Sequence, residues 1–198
     1  MKLLVATHNS HKLDEILAIL ARPGLVLVSM RDIPDLPEVE EDGATFDANA
    51  RKKAVTLARA TGLWALGDDS GLEVAALGGE PGVYSARYAG EPVNYSANNT
   101  KLLTRLSGQT DRRARFRCVL ALADPAGNCR TVEGRCEGRI AEAPRGANGF
   151  GYDPLFIPDG YRGTFAELAP EVKNRISHRA VALREAERAW GKELAIAD

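Results

Sequence analysis

Two adjacent carboxylates, Asp68 and Asp69, follow an apolar run at residues 63–66 in the sequence "LWALGDDSGLEV". The apolar run predicts a buried strand, and "GDDSG" at residues 67–71 predicts a turn at its end. Open α/β sheets bind their ligands at such strand ends. Neighbouring strand residues point to opposite faces, so only one of the two aspartates is expected to face a ligand.

Carboxylate oxygens at this position suit Mg²⁺, which proteins hold by one or two carboxylates together with water and substrate phosphates. The acidic loop "EVEEDG", residues 38–43, precedes the strand and offers Glu40 and Glu41 as the second carboxylate. Another interpretation is that this charge complements the N-terminus of the following helix. The sequence leaves open which of the two glutamates would reach a metal ion.

The next helix, predicted at residues 45–60, carries polar side chains on its apolar face. The apolar stripe consists of Phe46, Ala50, Ala54 and Leu57. Asn49 and Lys53 lie along this stripe rather than opposite it. An ammonium at the edge of a buried face normally needs an anionic partner. The alternative is a lysine whose stem packs while its ammonium reaches water.

A polar loop joins the first predicted strand, residues 2–6, to a helix that carries Leu13, Ile16, Leu17 and Leu20 at helical spacing. The loop has the sequence "THNSHK" and comprises Thr7, His8, Asn9, Ser10, His11 and Lys12. Free backbone N–H groups at a helix N-terminus favour an anion such as phosphate, and the loop side chains add donors. The alternative is a helix that is simply capped by Ser10.

Two later segments, "NGFGYDP" and "KNRISHRA", could bind a planar ring. Phe150 stands between glycines and can lie flat against such a ring. Hydrogen-bonding groups for the ring edge come from Tyr152, Asp153, Lys173, His178 and Arg179. The alternative is a turn followed by a helix start, with a structural histidine.

The remaining patterns predict an α/β fold, with strands and helices alternating over the first seventy residues. Strands at residues 113–124 and 129–140 flank "PAGN" and predict a β-hairpin, which makes the sheet mixed. Residues 164–167 have the spacing of a capping box and predict a brief helix, and a final amphipathic helix follows from about residue 176. The length of 198 residues predicts one domain, residues 1–198.

Composition narrows the function classes. Lys and Arg together number 26 against 27 Asp and Glu, so the chain lacks the positive charge that nucleic acids or membrane surfaces attract. Its apolar runs are too short to span a bilayer, which favours a soluble intracellular protein. Three cysteines, Cys118, Cys129 and Cys136, show no metal-site spacing, and Cys118 is predicted to pack in the core.

Six motifs in order resemble the inosine/xanthosine triphosphate pyrophosphatase family: "THNSHK", "FDANARKKA", "DDSGLEV", "PGVYSARY", "GFGYDPLF" and "SHRA". The resemblance covers residues 4–183. It implies an elongated α/β fold with a mixed sheet flanked by helices, and two lobes around a central nucleotide-binding cleft. It also implies Mg²⁺ as cofactor and a cytoplasmic homodimer. Many members have glycines in the first loop where this chain has His8 and His11.

The resemblance assigns roles by motif. Asp69, Lys53 and Lys12 would be catalytic, with Asp69 as the proton acceptor. Asp69 and Glu41, with Glu40 as a further candidate, would hold Mg²⁺. The substrate would contact Thr7 to Lys12, Asn49, Lys53, Ser70, Phe150, Gly151, Tyr152, Asp153, Lys173, His178 and Arg179.

The function implied is hydrolysis of ITP, dITP or XTP to the nucleoside monophosphate and pyrophosphate, which keeps these nucleotides out of DNA and RNA. The purine nucleoside triphosphate would be the ligand, with no nucleic acid or membrane partner. Three alternatives stay open: a phosphatase or kinase acting at the γ-phosphate, a nucleotide-binding or sensing protein that does not hydrolyse its ligand, and a nucleic-acid-binding protein.

Overall fold

The computed structural model describes residues 1–194, and strands and helices alternate over the first seventy residues, as the sequence predicts. The strands are β1 (Lys2–Ala6), β2 (Val26–Ser29), β3 (Trp64–Val74), β4 (Arg113–Ala123), β5 (Cys129–Ile140) and β6 (Phe156–Pro158). The helices are α1 (Ser10–Leu20), α2 (Phe46–Thr61), α3 (Tyr95–Arg105), α4 (Pro170–Ile176) and α5 (His178–Leu194). Within these residues, no helix is long and apolar enough to cross a membrane.

The strands form one sheet in the order β2-β1-β3-β4-β5-β6. β1 pairs in parallel with both β2 and β3, whereas β5 pairs with β6 in antiparallel fashion. The sheet is therefore mixed, which confirms the predicted fold class.

Contacts divide the chain into two compact units. The first contains Met1–Asp69, Cys118–Gly134 and the segment from Arg179 onward, and the second contains Ser70–Arg117 and Arg135–His178. β3, β4 and β5 supply residues to both units because each strand runs across a unit boundary.

Each unit has its own apolar core. In the first unit, side chains of β1, α1 and α5, with Trp190 among them, pack together with the second half of β4. Cys118 is fully buried there, which confirms its predicted place in the core. The core of the second unit contains several aromatic side chains, and the Phe116 ring meets the Phe156 ring edge-on at 4.7 Å between centroids.

Helix α2 lies directly against β3 because small residues meet at the contact. A Cβ atom at Gly67 would come within 2.3 Å of the Ala50 carbonyl oxygen, so any larger residue would push the helix away. Thr45 caps the helix start by accepting a hydrogen bond from the Ala48 N–H, and Gly62 ends it in the left-handed conformation at φ 68°. This close packing brings the buried face of α2 onto the Asp69 carboxylate of β3.

The predicted turn at "GDDSG" is wrong, because β3 continues through these residues to Val74. What ends at this point is the neighbouring strand: β1 pairs with β3 only as far as Ala6 opposite Gly67. Asp68 and Asp69 therefore lie just beyond the carboxyl end of β1, within a continuous strand. The change in sequence at "GDDSG" therefore marks the place where β3 loses its pairing with β1, and β3 itself continues.

The brief helix predicted from Thr164 to Glu167 is also wrong. The Glu167 carboxylate does accept a hydrogen bond from the Thr164 N–H at 2.8 Å, but the segment forms only a turn. Ala169 is extended, at ψ 144°, because a residue before proline disfavours the helical conformation. The helix begins instead at Pro170, whose ring suits the first helical position.

Candidate active site

Asp68 and Asp69 point to opposite sides of β3, as the alternation of strand residues predicts. The Asp68 carboxylate meets side chains from α1 and α5, whereas the Asp69 carboxylate meets α2. Both side chains are buried. One strand thus holds two carboxylates in two different environments of the first unit.

Asp68 is the centre of a buried charge network. Lys12 Nζ lies 2.7 Å from Asp68 Oδ1, and Arg179 Nε lies 2.7 Å from Oδ2. The Cys118 thiol donates to the same Oδ2 at 3.3 Å. Burial alone would raise the pKa of Asp68, but Arg179 and then Lys12 hold this pKa well below its ordinary value. Asp68 is therefore a permanent carboxylate that fixes the Lys12 ammonium.

Arg179, whose motif predicts that it reads a nucleobase, lies in the charge network around Asp68. Its side chain is only 1% exposed, and its guanidinium donates to Asp68 and to Glu15 of α1. Sequence reasoning missed Glu15. The available signal was its position three residues after Lys12, which puts both side chains on one face of α1.

The Lys53 ammonium contacts three oxygen atoms of the first unit. Its Nζ donates to the Asp68 carbonyl oxygen at 2.6 Å, and it lies 3.0 Å from Glu41 Oε2 and 3.9 Å from Asp69 Oδ1. Its side chain is only 9% exposed, which argues against the alternative of a lysine whose ammonium reaches water. One cation thus lies within ion-pair distance of two carboxylates.

The two carboxylates near Lys53 have pKa values displaced in opposite directions. Burial, together with the Glu41 charge, raises the pKa of Asp69 to about 6, although Lys53 and Lys12 act against this rise. Burial would also raise the pKa of Glu41, but Lys53 and then Lys12 hold it below its ordinary value. Asp69 is consequently the better proton acceptor near neutral pH, while Glu41 stays charged.

Asn49 lies one helical turn before Lys53 and touches Asp69. Its Nδ2 donates to Asp69 Oδ2 at 3.0 Å, and its Oδ1 accepts from the Gly43 N–H at 2.7 Å. The expectation that Asn49 and Lys53 lie on the buried face of α2 is therefore confirmed.

The carboxylates of Asp69 and Glu41 are chemically suited to Mg²⁺. Both approach a single cation, the Lys53 ammonium, and Mg²⁺ is commonly held by one or two carboxylates with the remaining positions left to water and phosphate oxygens. Residues 1–194 contain no cluster of three or more His, Cys, Asp or Glu side chains that could hold a metal by themselves. Glu40 is exposed to solvent, which favours Glu41 over Glu40.

The loop from Thr7 to Lys12 leads into α1, as predicted, but its cap differs. Asn9, not Ser10, is the N-cap, because its Oδ1 accepts hydrogen bonds from the N–H groups of His11 and Lys12 at 3.0 and 3.2 Å. Thr7 Oγ1 accepts from the Asn9 N–H at 3.1 Å. His8, Ser10 and His11 are exposed, whereas Lys12 turns inward to Asp68.

In the second unit, the glycine-rich loop and α4 form a separate cluster. Asp153 is buried and accepts hydrogen bonds from the Phe150 N–H, at 2.9 Å, and from the Lys173 ammonium. The same ammonium lies 4.9 Å from the centre of the Phe150 ring. Asn99 Nδ2 donates to the Gly151 carbonyl oxygen at 3.1 Å. The loop conformation is therefore fixed at Phe150, Gly151 and Asp153.

Three other predicted residues of this unit have different surroundings. Tyr152 is buried and its hydroxyl donates to the Ser85 carbonyl oxygen at 2.9 Å, which makes it a support of the loop. His178 is buried with its ring stacked on Phe116, at 4.7 Å between centroids. Ser70 is half-buried in β3, directly after Asp69.

Comparison with known proteins gives a consistent result. A sequence model of the Ham1 family matches residues 3–189. A dITP/XTP pyrophosphatase from Desulforamulus reducens is 55% identical over 188 residues, covering 94% of each chain. The solved Ham1 protein of Staphylococcus aureus is 39% identical with a TM-score of 0.88, covering 98% of this chain and 100% of that one. A HAM1 protein from Coxiella burnetii is 40% identical with a TM-score of 0.89, covering 97% of this chain and 99% of that one.

Proposed function

Because this chain belongs to the Ham1 family, we propose that it hydrolyses the non-canonical purine nucleotides dITP, ITP and XTP to the nucleoside monophosphate and pyrophosphate. The observation that carries the proposal is the set formed by the buried Asp69 and Lys53 and the partly exposed Glu41, with Lys12 held nearby on Asp68. These residues combine a proton acceptor, Asp69, with two ammonium groups, those of Lys12 and Lys53, that can bind phosphate oxygens.

Lys12 and Lys53 bind the phosphates, with the donors of the Thr7–Lys12 loop. Asp68 holds Lys12 and its own carbonyl oxygen holds Lys53, so both ammonium groups are positioned before the substrate arrives. Groups that are already oriented stabilise developing charge without reorganisation during the reaction. Asp69 takes the proton of the attacking water, because its raised pKa makes it the stronger base of the carboxylate pair.

Mg²⁺ is the cofactor that we propose, with Asp69 and Glu41 as its protein ligands. When bound, it would neutralise phosphate charge and polarise the phosphoryl oxygens as a Lewis acid. Its protein ligands leave most coordination positions to water and phosphate, which fits a cation that enters with the nucleotide.

The base-binding role falls to residues of the second unit. The Phe150 ring offers a stacking surface, and Ser70, Gly151, Asp153, Lys173 and His178 supply polar groups along the motifs. Tyr152 supports the loop through Ser85. Arg179 is proposed as a support of Asp68 rather than a reader of the base, because its guanidinium already faces two carboxylates.

We also propose that residues 1–198 act as one domain and that the enzyme is a cytoplasmic homodimer with no nucleic-acid partner. The near-equal numbers of basic and acidic residues support the last point.

A nucleotide panel with pyrophosphate detection tests the proposal. We expect activity with ITP, dITP and XTP, much weaker activity with GTP, and near-background activity with ATP, CTP and UTP. The 6-keto group accepts a hydrogen bond from Lys173 or His178, whereas the 6-amino group of adenine would leave that donor unpaired. Such sites discriminate by about 10⁴-fold. GTP shares the 6-keto group, so its rejection should be weaker.

Two results would contradict this assignment. ATP hydrolysed as fast as ITP would exclude selection of the 6-keto group. Binding of ITP with Mg²⁺ but no release of pyrophosphate over hours would indicate a nucleotide sensor instead of an enzyme.

A further inference from the structure

Asn49 of α2 connects two parts of the first unit through a single side-chain amide. Only 2% of the residue is exposed. The donor end of the amide binds Asp69 Oδ2 at 3.0 Å, and the acceptor end binds the Gly43 N–H at 2.7 Å. Gly43 belongs to the acidic loop and follows Glu41 by two residues. The same amide therefore holds the proposed base and the loop that carries its partner.

We propose that Asn49 is a positioning residue that fixes the orientation of the Asp69 carboxylate and ties it to the acidic loop. This inference rests on the proposed function, since it assigns Asn49 a task within that reaction. It replaces the expectation that Asn49 binds substrate, because both ends of its buried amide are already bonded to the protein.

The chemistry of the two partners requires an amide at this position. A carboxylate oxygen can only accept, and a backbone N–H can only donate, so the side chain between them must do both. The partners also determine the orientation of the amide: reversed, it would direct its oxygen at Asp69 and its NH₂ group at the Gly43 N–H.

The bond also makes the two oxygens of Asp69 unequal. Oδ2 is held by Asn49, while Oδ1 faces the Lys53 ammonium at 3.9 Å. A carboxylate held at one oxygen cannot rotate freely, which keeps the other oxygen directed to the same place. Catalysis is sensitive to such alignment, and misplacement of a reacting group by about 1 Å can cost roughly 10²-fold in rate.

Gly43 provides a second way to disturb the link without changing Asn49. A Cβ atom at Gly43 would lie 2.5 Å from Asn49 Oδ1, closer than such atoms approach each other. Gly43→Ala should therefore displace the amide from its place between the loop and Asp69. Its effect on the reaction should resemble that of changing Asn49 itself.

The test compares steady-state hydrolysis of dITP by Asn49→Ala, Asn49→Asp and Gly43→Ala. We expect kcat to fall by about 10- to 100-fold in Asn49→Ala, with KM changed less than about threefold, because alignment is lost while phosphate binding persists. Gly43→Ala should show the same kcat-dominated loss. Asn49→Asp keeps an acceptor for the Gly43 N–H but faces Asp69 with a like charge, so it should lose at least as much as Asn49→Ala.

Matched controls separate this role from a general loss of stability. Asn98 is an equally buried asparagine that donates to the carbonyl oxygen of Ala86 and accepts from the Ala89 N–H in the second unit. Asn98→Ala should lower the melting temperature but keep kcat within about twofold, since its amide contacts neither Asp69 nor the acidic loop. A Cβ atom at Gly191 would meet no neighbouring side chain or segment within 4 Å, so Gly191→Ala should retain full activity.

The outcomes separate this inference from the proposed function. Lack of dITP hydrolysis by the wild-type protein in the same assay would overturn the proposed function. A wild-type enzyme that is active, together with a wild-type kcat in folded Asn49→Asp, would overturn the positioning role alone. Equal loss of kcat in Asn98→Ala and Asn49→Ala would reduce Asn49 to a structural residue.

Discussion

Asp69→Asn should lower kcat for dITP by about 10³-fold or more, within the range that general-base catalysis contributes. Asparagine has the same shape and can still accept the hydrogen bond from Asn49, so the fold should be preserved. It cannot take a proton, and it removes one of the two carboxylates proposed for Mg²⁺. Single-turnover kinetics measures the loss, and titration with a non-hydrolysable dITP analogue should show binding within several-fold of wild type.

Asp111→Asn is the matched control for this substitution. Asp111 lies in the second unit and bonds the exposed Arg113, so the change should leave kcat unaffected.

The pH dependence of the wild-type reaction gives a second test of Asp69. Asp69 must be deprotonated to act, so wild-type kcat/KM should fall as the pH drops below about 6. A bound cation would lower this limit further. Asp69→Asn with wild-type turnover would remove Asp69 from the mechanism.

Lys53→Ala should lower kcat/KM by about 10²-fold or more, equivalent to roughly 3 kcal/mol. The substitution removes an ammonium group that is proposed to bind phosphate. The Asp68 carbonyl oxygen already holds this group in position, so little free energy is needed to orient it. It also leaves Glu41 and Asp69 without the cation that lies near both of them. Two neighbouring carboxylates without a cation repel each other, so we expect the Asp69 pKa to rise as well.

Lys52 provides a neighbouring control on the same helix. Its ammonium lies 2.6 Å from Asp42, and its side chain is 42% exposed. Exposed ion pairs contribute little, so Lys52→Ala should change kcat/KM by less than about twofold. A folded Lys53→Ala variant with wild-type kinetics would mean that the buried ammonium has no part in the reaction.

Local sequence patterns predicted most of the elements that build the first unit. The apolar spacing of Phe46, Ala50, Ala54 and Leu57 located α2, and it also identified Asn49 and Lys53 as buried polar groups on that face. Strand alternation separated Asp68 from Asp69. These features depend only on neighbours along the chain, so a single sequence contains them.

The features that the sequence did not show depend on distant parts of the chain. The composition of β3 changes where the neighbouring strand β1 ends, although β3 continues. The composition of one segment therefore does not show where that strand itself ends. The network that joins Glu15, Arg179 and Asp68 links residues that are more than 100 positions apart. No local periodicity predicts such a pair. The Arg179 expectation therefore rested on its motif, and its burial against carboxylates became visible only in the structure.

Hydrolysis of dITP in ¹⁸O-labelled water tests the central claim most directly. Water that attacks the α-phosphorus forms a new bond there and breaks the bond to the bridging oxygen, so pyrophosphate leaves with both of its phosphorus atoms. Mass spectrometry should then find one ¹⁸O atom in the deoxyinosine monophosphate and none in the pyrophosphate. Label in released orthophosphate, with deoxyinosine diphosphate as the other product, would place the attack at the γ-phosphorus and contradict the pyrophosphatase assignment.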